Sequence, residues 1–402
     1  MRIVISLVVM LLLAGLVLAE IPITDQVGID MNMRPRLIVD GRDFNSDTGL
    51  FDGGDLRTMI GINVMPNDNV LIRVRFRETR FFGNQASLSP SVNDFEAQEA
   101  YGKLTNVFGK PMSFTVGRME YEQGRGRIMG STSWSPFGPR TYDGIRVGFK
   151  PSFGYFEVLV IRALEAGRTD DNLIVVSGNM VDGHFQPIFV ADVDNIDYGF
   201  EDLNRLYTMG FFYKRMMGDN VKFMMDAAYQ MGTMADRTVG SYLIAADVYY
   251  KFDGKLNPFV GVGIDMTSGN KWDDDPAKED SKLFSTPYLH GHGFRGQMDL
   301  IGEQQLGLMD LIFHLGIKRD CGLKVMADFH MFSYANDNAY VDNNGDLVEY
   351  TTIGQEIDLH VVKTVNENVK LDLGYGVFMA SDDWVPDGDA ASWGYVSWIF
   401  SY

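Results

Sequence analysis

The chain has 402 residues, a formal net charge of −19 and a single cysteine, Cys321. One thiol excludes any internal disulfide, and with it the stapled scaffold of small secreted domains. After the first twenty residues no segment supplies the roughly 18 consecutive apolar residues of a transmembrane helix, so any membrane-spanning role would fall to strands.

The opening "MRIVISLVVMLLLAGLVLAE" places one arginine before an apolar run that closes on Val17-Leu18-Ala19. That order reads as a secretory signal cleaved after Ala19, leaving Glu20 to Tyr402 as one exported domain. The alternative, an anchoring helix, would call for a cationic stop-transfer segment, and none follows. No cysteine stands at the cleavage point, which argues against a lipoprotein. Charge is uneven along the mature chain. Residues 20–163 hold 17 basic and 17 acidic side chains, whereas 164–402 hold 17 against 37.

Strand-like alternation begins at "IDMNMRPRLIVD", which sets Met31, Met33, Leu37 and Val39 against Asn32, Arg34 and Arg36. "NVLIRVRFRETRFFG" (69–83) is sharper, with Val70, Ile72, Val74 and Phe76 opposite Arg73, Arg75 and Arg77. A period of two sends successive side chains to opposite faces of a strand. The same alternation recurs in "VKFMMDAAYQMG" (221–232), "SYLIAADVYYKF" (241–252), "GQEIDLHVVK" (354–363) and "VKLDLGYGVFM" (369–379). Most segments run about ten residues, enough to cross a bilayer at a tilt.

Short turns rich in Gly, Asn, Asp and Pro fall at 65–69, 106–111, 150–154, 217–220, 253–255, 319–322 and 365–368. Longer connectors occupy 41–55, 82–93, 122–139, 164–205, 269–305, 336–352 and 381–391. Short turns alternating with long loops are the rhythm of an outer-membrane barrel with periplasmic turns and external loops. The fold expected is therefore all-β, a transmembrane antiparallel β-barrel of about 16 strands. It becomes 18 if "NLIVVSGNMVDGHFQPIFV" within 164–205 is a spanning hairpin. The chain ends on "ASWGYVSWIFSY", whose Val396, Trp398, Phe400 and Tyr402 give an apolar, aromatic face to a terminal strand. Such an ending resembles the signal read by barrel-insertion machinery. Interfacial tyrosines and tryptophans, outer-membrane lipid and lipopolysaccharide complete the expected surroundings.

In a barrel the apolar residues between the arginines face lipid and the arginines face the lumen. An outward Arg73 would cost roughly 2–4 kcal/mol near the bilayer midplane. Two roles remain for luminal arginines. They can brace the wall by pairing with acids such as Glu78, Glu96 or Glu99, or they can form a basic track for an anionic solute.

Several segments in order resemble the alginate export porins of the bacterial outer membrane. They include "RVRFRETRFFG" (73–83), "EAQEAYGKL" (96–104), "VGRMEYEQGRGRIMGSTSW" (116–134) and "RTYDGIRV" (140–147). "GIDMTSGN" (263–270), "LFSTPYLHGHGFRGQMD" (283–299), "DLIFHLGIKRDCGLKVMADFHMFS" (310–333) and "IGQEIDL" (353–359) continue the resemblance. It implies a monomeric barrel with an arginine-rich constriction that passes an anionic polyuronate. The positions matching its basic segments are Arg73, Arg75, Arg77, Arg118, Arg127, Arg140 and Arg146. Guanidinium suits the task because it stays charged and grips carboxylates bidentately. The acidic last two-thirds of the chain departs from the pattern, so the solute expected is broader, an anionic saccharide or small organic anion.

A barrel can also be a hydrolase. The candidates are His290 and His292, His314, His330, and the row Glu356, Asp358, His360. His-x-His lacks a third ligand, and alternating polar residues are the ordinary filling of a barrel wall. No G-x-S-x-G, H-E-x-x-H or P-loop pattern occurs. The acidic stretches 271–282 and 342–346 lack the glycine and final glutamate of a calcium loop. No catalysis, metal, cofactor or nucleic-acid partner is expected.

Overall fold

The computed structural model describes residues 25–402 except 83–93, 132–133, 135, 137, 167–168, 195–203, 275–279, 286, 291 and 342–345. The proposed signal segment, most of the 82–93 connector, the middle of 271–282 and most of 342–346 lie outside the described residues. Eighteen strands form one sheet. They are β1 Val27–Gly41, β2 Phe51–Asn67, β3 Val70–Phe81, β4 Asp94–Thr105, β5 Met112–Glu120, β6 Thr141–Phe149, β7 Gly154–Ala166, β8 Thr169–Met180 and β9 Phe185–Asp194. Then come β10 Arg205–Met217, β11 Val221–Met234, β12 Arg237–Lys251, β13 Pro258–Thr267, β14 Leu308–Lys318, β15 Leu323–Val341, β16 Leu347–Thr364, β17 Val369–Ala380 and β18 Ala391–Ser401.

Each strand pairs antiparallel with its neighbours in sequence, and β18 closes on β1 through pairs such as Leu37 with Val396. Closure leaves no sheet edge, so every wall strand satisfies its backbone within the protein, as a membrane requires. Met31 N–H donates to the Tyr402 carbonyl, so both ends of the described chain lie beside the short turns.

The alternation in β3 sorts as expected. Ile72 and Phe76 are exposed on the outer face, and Arg73 and Arg77 are buried on the inner one. The outer face continues through Ile60, Val116, Val160, Ile174, Val262, Phe313 and Leu359, all exposed and apolar. A continuous apolar exterior over a polar interior is the signature of a barrel in lipid.

The strand number is 18, not 16. The segment at issue forms β8 and β9, paired from Asp171 with Asp194 to Met180 with Phe185. Its two faces carry little contrast. Leu173 and Val175 are fully buried inside while Ile174 and Val176 face out. The inner face is apolar here because Tyr121 and Met129, from an inward loop, pack on Leu159, Ile161, Leu173, Val175, Ile188 and Val190. The loop rhythm is also less strict than expected. On the long-loop side, β7 gives way to β8 between Ala166 and Thr169, and β11 to β12 between Met234 and Arg237.

Candidate functional site: an arginine wall, an acidic wall and two loops between them

Two connectors, 121–140 between β5 and β6 and 268–307 between β13 and β14, enter the barrel and pack on its inner face. The first spans between two oppositely charged walls. At one end Arg125 donates to Asp226 on β11 at 2.7 Å and bonds Asp247 on β12. Arg127 bonds Asp265 on β13 and lies 4.0 Å from the Phe294 ring centre. Burial alone would push the Arg125 guanidinium toward neutrality. Asp226 and Asp247 more than reverse this and hold its pKa above the ordinary value.

At the other end the carbonyl of Trp134 accepts from Arg34 at 3.2 Å and from Arg36 at 3.1 Å. The Arg36 guanidinium sits 4.6 Å over the Trp134 ring. The Pro136 carbonyl accepts from Thr79, and the Pro139 carbonyl from Gln98. The loop thus covers the inner face of β1 to β4.

The two loops hold each other by backbone. His290 N–H donates to the Gly126 carbonyl and Gly130 N–H to the Tyr288 carbonyl, both at 2.8 Å. The glycine spacing follows from this contact. Gly126 has φ +80, and a Cβ on Gly130 would stand 2.7 Å from the His290 nitrogen. The second loop is fixed in turn on β16. Gln297 N–H donates to Glu356 at 2.7 Å and to Asp358 at 3.0 Å, and Met298 N–H to Glu356 at 2.9 Å. Gly296, at φ +84, lets the turn approach, since a Cβ there would meet Glu356 Oε1 at 2.5 Å.

The expected arginines separate into distinct environments. Arg73 pairs with Asp30 at 2.8 Å and Glu99 at 2.7 Å. Arg75 pairs with Asp30 at 2.7 Å and lies 3.4 Å from Glu99. Arg77 pairs with Glu96 at 2.8 Å and is buried beneath the first loop. Glu78, expected as a brace for them, pairs with Arg80 instead. Arg146 pairs with Glu157 at 2.5 Å yet keeps 31% of its side chain accessible, against 5% for Arg77. Arg140 is exposed beside Tyr288 and has no ion pair among the described residues. Arg127 holds the loop. Arg118 departs from the expected inward placement. In unbroken register it shares a face with outward Val116, and it pairs at 2.7 Å with Asp143, which shares a face with outward Ile145. It sits near the long-loop end of β5, where a paired charge meets the interface and not the bilayer centre.

Sequence reading missed Arg125 and Arg295, both inside quoted segments, and the role of Arg34, Arg36 and Arg57 on the same wall. The Gly-Arg-Gly-Arg run of 124–127 was the available signal, because alternate glycines free the backbone to present both arginines. Arg295 is buried near Asp265 and Arg127; burial pulls its pKa below the ordinary value, against the pull of Asp265.

Four of the five histidines weighed as catalysts have carboxylate partners, and the His290 ring accepts from the His292 N–H at 3.1 Å. His314 bonds Asp328, His330 bonds Asp310 and His360 bonds Asp372, each at 2.7 Å, and His292 bonds Asp299 at 2.8 Å. Among the described residues no group of three His, Cys, Asp or Glu side chains is arranged to hold a metal ion.

The family model for alginate export matches residues 52–161 and 192–393. The chain belongs to the alginate export family. Solved structures similar to this member include Acinetobacter baumannii OccAB3, at 10% identity over 94% of this chain and 99% of that one, with a TM-score of 0.63. OccAB2 of the same organism gives 12% identity, 95% and 99% coverage, and a TM-score of 0.61. Pseudomonas aeruginosa OpdK, solved with vanillate, gives 11%, 93% and 98%, and 0.58. At these identities the likeness concerns the fold, an outer-membrane β-barrel. No curated protein matches the chain in sequence.

Proposed function

We propose that this alginate export family member is a passive channel of the bacterial outer membrane for anionic saccharides, polyuronates among them. The observation that carries the reading is the accessibility of Arg75, Arg140 and Arg146 in a barrel narrowed by two inward loops. These three contact the solute. Arg73, Arg77 and Arg127 hold the wall and the loop in place, and Arg118 meets the lipopolysaccharide region outside. An anion can exchange carboxylate partners with a guanidinium that is already paired, which allows it to step along without being trapped. The short turns face the periplasm, the β18 ending serves barrel insertion, and the protein works as a monomer without cofactor or catalysis.

A second reading is favoured by one observation. Arg73, Arg75 and Arg77 are each ion-paired with wall acids, which suits a general diffusion porin braced by its charges. Liposome swelling with a uronate and a neutral sugar of matched size separates the two. The anionic channel passes the uronate several-fold faster, and R75Q/R140Q/R146Q removes that advantage. A general porin passes both at rates set by size alone.

A further inference from the structure

At the short-turn end of the lumen the charge on the acidic half of the barrel reverses. Lys214 on β10, Lys222 on β11, Lys318 on β14, Lys324 on β15 and Lys370 on β17 all stand within four residues of a short turn. Each shares its strand face with a buried inner residue: Phe212, Asp226, Ile312, His330 and Asp372 respectively. They therefore point into the mouth. Lys318 and Lys324 are direct cross-strand partners. Lys324 lies within electrostatic reach of Asp328 as well as of Lys222, Lys318 and Lys370, and Lys222 within reach of Arg125 and Asp247 as well as of Lys214 and Lys318.

Lys370 has an acid at 3.3 Å, Asp372. Lys214, Lys222, Lys318 and Lys324 have no ion pair among the described residues. The acids closest in sequence do not close on them. Asp219, Asp253, Asp320 and Glu367 sit in the turns, while Asp226, Asp247 and Asp328 lie deeper and engage Arg125, Arg127 or His314. Like charges directly opposite on one face of a sheet are destabilising. Elsewhere on this wall charges are paired with care, so an unpaired lysine array is an exception that invites an external counter-charge. Clustered cations at a low-dielectric mouth focus potential and raise the local concentration of anions.

We infer that these five lysines form a collar that captures an extended polycarboxylate at the short-turn mouth before it meets the loops. The inference rests on the anionic-channel reading and adds a site and a side to it. The collar spans strands β10 to β17, about 34 Å of wall at about 4.8 Å per strand, a reach that several carboxylates on one chain can bridge and a single carboxylate cannot. Capture is thus multivalent, and it favours polymer over monomer.

The test uses single channels in a planar bilayer with a short polyuronate oligomer added to one chamber at a time. Cys321, exposed in the turn after β14 and alone in the chain, reports orientation through a membrane-impermeant maleimide. The oligomer should block at about tenfold lower concentration from the maleimide-reactive side. K214Q/K222Q/K318Q/K324Q should bring block from that side to the level of the other, with heat-modifiable mobility confirming a folded barrel. Equal block from both sides, block unchanged in the variant, or a monomeric uronate as potent as the oligomer overturns the collar and leaves the channel reading standing. No block from either side overturns both.

Discussion

Arg125, on a loop within the lumen, donates to Asp226 at 2.7 Å and also bonds Asp247, joining two neighbouring wall strands through one guanidinium. Both carboxylates are almost fully buried. Removing one partner of a buried ion pair costs about 3–5 kcal/mol, because the charge left behind has no water to replace it. R125A is therefore expected to detach this end of the loop while the barrel stays closed. Single-channel conductance should rise and trypsin should cleave within 121–140. Unchanged conductance would mean that Arg127 and Trp134 hold the loop by themselves.

The contact between the two loops depends on glycine. A valine at position 126 would take a left-handed backbone, costing about 1–3 kcal/mol, with its Cβ 3.0 Å from that of His290. At position 130 the added carbon would strike the His290 backbone at 2.7 Å. G126V and G130V should each abolish hydrogen-exchange protection of the amides at positions 130 and 290 and leave the amides of β15 and β16 protected. Protection retained in both variants would contradict the pairing.

The same loop contact carries a pH dependence. Burial and the neighbouring His292 push the His290 pKa below its ordinary value of 6.5, outweighing Glu122. The released loop then binds more protons than the packed one, so packing gains stability as pH rises toward 6.5 and loses it as pH falls below. Conductance noise from loop movement should increase between pH 7 and pH 5, and H290N should flatten the response. Noise that falls on acidification would reverse the sign.

Face assignment in β3 can be tested without reference to transport. Phe76 is outward and stacks on Phe95 with centroids 5.5 Å apart, while Arg75 and Arg77 beside it turn inward. F76R should cost about 2–4 kcal/mol in urea titrations of the barrel in lipid vesicles. A neutral substitution would mean that this side chain already meets water.

Much of the barrel was legible because polarity alternates where one wall face meets lipid and the other meets charge, as in β3, β12 and β16. The reading faltered at β8 and β9, where a loop packed inside makes both faces apolar and erases the period. Arg73, Arg75 and Arg77 were placed on the inner face by the cost of putting them in lipid. Glu96 and Glu99 stand among the acids the sequence offers as their partners, whereas Asp30 was not legible, since it comes from β1 and only register brings it to Arg73 and Arg75. Arg118 misled because its outward position depends on lying at the end of a strand, where the rule against charge on the lipid face relaxes. The loops were visible as long connectors. Their inward path rests on Gly126, Gly130 and Gly296, whose close approaches exist only in the folded chain.

The most direct measurement is the reversal potential of the refolded protein in a planar bilayer under a salt gradient, with and without R75Q/R140Q/R146Q. An arginine-governed anionic channel predicts clear anion selectivity that collapses in the triple variant, together with block by a polyuronate. Weak or cation selectivity, unchanged by the substitutions, would contradict it and leave those arginines as braces of a general porin.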